Sequence, residues 1–119
     1  NKTNCGRPCD FHEVKLRDRI GAEHPLKADV GCRNTVFNAT PQSAAEIVGE
    51  LQSIGVRHFR IELLQDETPE AIGRTIGLYR ALLAGETSGS DVWHALNAAN
   101  LVGVTRGTLD ERRNPLAIL

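Results

Sequence analysis

The chain has 119 residues, 40% of them hydrophobic and 24% charged, with a net charge of −1. That length suffices for one compact domain with a modest core, and the near-neutral charge excludes a global pull toward nucleic acid or anionic membranes. No apolar run approaches the roughly 18 residues that span a bilayer, so a soluble, cytoplasmic protein is expected. Asn1 in place of methionine, followed by a polar Asn1–Asn4 run, reads as a piece of something longer.

Residues 1–26 show no clean period and are expected to form a cysteine-bearing loop, with a short strand or turn near Val14 to Ile20. Lys27 to Cys32 reads as a short strand, with Asn34 to Asn38 extending it or looping after it. Thr40-Pro41 then supplies a helix start: threonine can cap free amide groups, and proline at the first helical position needs no amide partner. Ala44, Ile47, Val48, Leu51 and Ile54 follow at helical spacing up to Gly55, so a helix is predicted over 41–54. Val56 to Leu64 alternates Phe59, Ile61 and Leu63 with His58, Arg60 and Glu62, the period of a strand. Thr68-Pro69 repeats the helix start, and Ile72, Ile76, Tyr79 and Leu83 form an apolar stripe ending at Gly85.

The two Thr-Pro starts lie 28 residues apart, close to the roughly 30 residues per unit of an eight-fold strand-helix barrel. The expected fold is therefore α/β. It would be part of a parallel, TIM-like barrel, with two strand-helix units over 27–85 and a closing helix and tail over 86–119. Ser90 or Asp91 is expected to cap that last helix through Val92, Trp93, Leu96 and Ala99. Leu101 to Thr108 then turns back, and the apolar end, 114–119, packs on a neighbour.

Cys5, Cys9 and Cys32 are the only cysteines. A tight pair plus a distant third suits a thiolate metal or cluster site, since the pair chelates and the third closes the site from another element. His12, three residues after Cys9, could complete a zinc site. Small buried thiols would give the same count, so ligation and plain burial both stay open.

On a barrel strand, Arg60 and Glu62 would face the interior, where unpaired charge is costly, and so would serve a ligand. On an open sheet the same two residues are solvated. Asp29 could point toward the same interior, and Arg33 and Asn34 follow Cys32 where such barrels hold ligands. There is no glycine-rich dinucleotide fingerprint, phosphate-loop lysine, His-Glu-x-x-His or Gly-x-Ser-x-Gly elbow.

Three stretches together resemble the later part of the collagenase-like peptidase family U-32: Cys5-Gly6-Arg7-Pro8-Cys9, the run from Leu26 to Asn38, and Gly55 to Glu62. The tracts Tyr79 to Gly85 and Gly103 to Thr108 are similar to that family's closing segments. The resemblance implies a larger barrel of which this is the carboxyl-terminal part, whose missing portion is then a partner of this chain. It implies an enzyme named for proteolysis whose members also carry out oxygen-independent hydroxylation of RNA bases or of the ubiquinone ring. It further implies a four-iron four-sulfur cluster on four cysteines, with Cys5, Cys9 and Cys32 as three ligands and the fourth expected upstream of Asn1. No catalytic nucleophile transfers with the resemblance, and these 119 residues alone are not expected to be active. The competing expectations are a metal-dependent peptidase, and a non-catalytic domain that is stabilised by zinc or that docks through strand edges, including onto a second copy of itself.

Overall fold

Alternation of Val14 and Leu16 with Lys15 and Arg17 is short, but it is enough to start a sheet once a partner strand folds back beside it. In the computed structural model, which describes residues 5–7, 12–29, 31–63, 67–100 and 102–109, the chain divides into two compact units, 1–40 and 41–119. The first carries an antiparallel meander of β1 (Val14–Arg17), β2 (Glu23–Asp29) and β3 (Arg33–Val36). Val14 pairs with Leu26 and Leu26 with Val36, which places these apolar residues on one face of the sheet. Lys15, Arg17, Glu23, Lys27, Asp29 and Arg33 share the other.

This corrects the sequence reading of 27–32 in two respects. The strand begins at Glu23, so position 26 lies inside β2 rather than at the end of a loop. Cys32 is not in a strand at all but in the turn to β3. The physical reason is chain length: only 18–22 and 30–32 connect the three strands, whereas a parallel neighbour requires a crossover of about a dozen residues or more.

The second unit is helical. Helix α1 (Val48–Ser53) follows a 3-10 turn over Ala45–Ile47. It closes at Gly55, whose φ of 101° is open to glycine at little cost. There the Gly55 amide donates to the Gln52 carbonyl at 3.1 Å and the Val56 amide to Leu51 at 3.0 Å. Helix α2 (Pro69–Leu83) opens with Thr68 Oγ1 accepting from the Ala71 amide and closes at Gly85 with the same pair of bonds. Both glycine stops and the Thr68-Pro69 start are as the sequence predicts.

Thr40-Pro41 does not open its helix, which starts at Ala45. Residues 41–43 are held instead by a parallel bridge of Gln42 to Thr105: the Thr105 amide donates to Pro41 at 2.9 Å and the Ser43 amide to Thr105 at 3.0 Å. Neither the 3-10 turn nor α1 has a side-chain cap at its N-cap residue, Ala44 and Ile47 respectively; buried Ser43, just before the turn, accepts at Oγ from the Ala45 amide at 3.2 Å and lies 2.8 Å from the Tyr79 hydroxyl. Helix α3 (Gly89–Ala99) is likewise capped by Ser88 rather than by Ser90 or Asp91. Its first residue, Gly89, packs directly on the backbone of Ala45 and Glu46.

Ala45, Val48, Leu82, Val92 and Leu96 form the core of this unit, flanked by Leu78, Tyr79, Trp93 and Val104. The run 56–63 pairs with no strand among the described residues. Its alternation survives as a difference in exposure: Phe59, Ile61 and Leu63 are a little over a third exposed, while the Arg60 and Glu62 side chains are 84% and 70% exposed. No helix of the described residues is long and apolar enough to cross a membrane.

Candidate metal centre

Cys5 lies in a turn in which Gly6 and Arg7 both have positive φ, 69° and 51°. This folds the chain back so that the Arg7 amide donates to the Cys5 sulfur across 3.4 Å. An amide aimed at a sulfur orients its remaining lone pairs, which is how protein backbones support metal-bound cysteine. The thiol is free and exposed.

Cys32 is the second free, exposed thiol. At φ 61° it holds a backbone conformation that glycine or asparagine usually fills, directly after Gly31 at φ 79°. The hairpin around it is closed by Asp29 and Arg33, directly opposed across β2 and β3, with Arg33 Nη2 3.0 Å from Asp29 Oδ2. Asn34 Nδ2 donates to the Cys32 carbonyl at 3.3 Å. Four of the sequence-selected residues, Asp29, Cys32, Arg33 and Asn34, thus meet at one hairpin end. Arg33 and Asn34 open β3 there, rather than follow the carboxyl end of a parallel strand.

Cys9 lies outside the described residues, as does the tail 114–119. His12 is exposed. No group of three or more metal-ligating side chains stands together among the described residues. Arg60 and Glu62 belong to the other unit and pair with each other at 2.6 Å, both well exposed. Such a pair in water contributes little to stability and leaves both groups accessible.

Sequence reasoning missed two polar constructions. In the first unit, Asp18 Oδ1 accepts from the amides of Ile20 and Ala22, and its Oδ2 lies 3.0 Å from His24 Nε2. The Ala39 amide donates to His24 Nδ1 at 3.0 Å, so Nδ1 is the acceptor and Nε2 carries the proton given to Asp18. The His24 hydrogen bond holds the Asp18 carboxyl below its ordinary pKa, and the Arg17 guanidinium does the same for Glu23. An aspartate opening a turn that ends in Gly21-Ala22 is a local signal that could have exposed this knot.

In the second unit, Arg106 joins Glu46 at 2.5 Å and stacks over the Trp93 ring at 4.2 Å. Sixty residues separate Arg106 from Glu46, and nothing local announces the contact.

No family model, curated protein or solved structure matches this chain.

Proposed function

We propose that Cys5, Cys9 and Cys32 furnish three thiolate ligands of an iron–sulfur cluster, in a protein of the U-32 kind. Its reaction would be the oxygen-independent hydroxylation of an RNA base or a quinone precursor. The observation that carries this reading is the Arg7 amide directed at the Cys5 sulfur, in a turn that needs two successive positive φ values. A merely buried thiol has no use for such a donor, and both described thiols are exposed. An all-sulfur donor set selects iron–sulfur clusters or zinc over magnesium or calcium.

When bound, the cluster would pass electrons or bind a substrate oxygen. Arg33, next to Cys32 and beside Asp29 and Asn34, offers a bidentate guanidinium group for an anionic co-substrate, and Arg60 beside Glu62 in the other unit is a separate candidate for the same role. The same reading includes the parallel strand-helix barrel, in which 56–63 would gain neighbours on both edges from sequence outside this chain.

The test is anaerobic reconstitution of the chain with iron and sulfide, with excess small-molecule thiol to fill the fourth ligand position. Visible sulfur-to-iron charge-transfer absorption is expected, lost in Cys5→Ser and in Cys32→Ser. A protein that stays colourless rejects the cluster. One zinc per chain, released only on unfolding, would favour the zinc-stabilised domain instead.

A further inference from the structure

The run 56–63 carries a charge order that is its own complement. Arg60 and Glu62 flank Ile61, with Phe59 and Leu63 one step further out. Residues 58–63 have no backbone hydrogen bond among the described residues, so the amides and carbonyls of this segment of alternating exposure are available to a partner. The three apolar residues remain partly exposed.

We infer that this segment pairs antiparallel with the same segment of a second copy, about a two-fold axis at Ile61. In that register Arg60 of each chain faces Glu62 of the other, twice. On the opposite face, Phe59 meets Leu63 twice and Ile61 meets itself. A two-fold contact must be self-complementary, and residue i must face j whenever j faces i. An Arg-x-Glu order centred on an apolar residue satisfies this in the antiparallel register. In a parallel in-register pairing the same order opposes like charges, which is unfavourable. The two intrachain Arg60–Glu62 ion pairs, one in each copy and both exposed, exchange for two cross-strand pairs of the same kind. The pairing does not depend on the cysteines, and failure of the iron–sulfur reading leaves it standing; it excludes only the closed barrel, which would occupy both edges of 56–63.

The test is sedimentation equilibrium of the chain over a wide concentration range, combined with hydrogen exchange at 58–63. A dimer is expected whose formation slows exchange of those amides. Arg60→Glu places glutamate against glutamate and Glu62→Arg places arginine against arginine. Each should raise the dissociation constant roughly tenfold, since two cross-strand pairs turn from attractive to repulsive.

Mixing the two variants, or combining both changes in one chain, restores opposite charges and should restore dimerisation. Both positions are solvent-exposed, and unchanged circular dichroism would show the variants folded. Any of four results overturns the inference: a chain monomeric at all concentrations, a dimer indifferent to either reversal, weakening that mixing does not repair, or a dimer that leaves 58–63 unprotected.

Discussion

Gly89→Ala tests the packing that fixes the start of α3. A Cβ built at Gly89 would fall on the Ala45 carbonyl oxygen and lie 2.8 Å from Glu46 Cα and 3.0 Å from the Ala45 carbonyl carbon. These are backbone atoms of the 3-10 turn, held in turn by Ser43 and by the core position of Ala45. They cannot swing aside as a flexible side chain would, so one methyl group must separate α3 from that turn. Overpacking of this kind costs about 1–3 kcal/mol, and a backbone obstacle puts it in the upper half. The alanine helix preference returns less than about 1 kcal/mol. A net loss of about 2 kcal/mol lowers the melting temperature of a unit this size by roughly 8–16 °C.

Thermal unfolding followed by far-ultraviolet circular dichroism reads this directly. Gly73→Ala and Gly77→Ala are the controls, because both glycines lie inside α2 with nothing near the added Cβ. Each should gain about 0.5–1 kcal/mol. A Gly89→Ala protein melting with or above the parent, or controls that lose as much as it does, would refute the packing account.

Leu96→Ala, at a core position 7% exposed, should cost about 2–5 kcal/mol in chemical denaturation. Ser88→Ala should cost about 1 kcal/mol and Ser90→Ala less than about 0.5, since the Asp91 amide donates to Ser88. A reversed order would return the cap to Ser90.

Asp18 and Glu23 titrate below their ordinary values, so the unfolded chain binds more protons than the folded one through the carboxylate range. Their stabilisation of the sheet is therefore complete above the ordinary carboxylate pKa and lost as pH falls through the lowered values. Amide exchange across 14–36 should accelerate there, less so in Asp18→Asn. A pH-independent sheet would contradict the hydrogen-bond knot.

What the sequence made legible was local. Thr68-Pro69 and the stops at Gly55 and Gly85 each rest on residues within a few positions of one another and appear as expected, whereas the apolar stripe of α2 differs at its end, where Leu82 is buried in the core and Leu83 is exposed. What it hid was decided at a distance. Thr40-Pro41 carries the same start signal as Thr68-Pro69, yet two backbone bonds to Thr105 hold 41–43 in a bridge. Ser88, Ser90 and Asp91 offer similar caps, and the fit of Gly89 on Ala45 accompanies the choice of Ser88.

The strand expected over Lys27 to Cys32 is present over Lys27 to Asp29 only. Its antiparallel partners follow from connections too short for a crossover, which local propensity does not weigh. For the candidate site, Asp29, Cys32, Arg33 and Asn34 were legible as one cluster because a tight turn keeps sequence neighbours together. The amide donated to the Cys5 sulfur depends on two φ values that composition does not announce.

X-ray absorption at the iron edge of the iron- and sulfide-loaded chain bears most directly on the thiolate site. A first coordination shell of sulfur alone is predicted, losing sulfur to lighter atoms in Cys5→Ser and in Cys32→Ser. A shell of oxygen and nitrogen that neither substitution alters would contradict it.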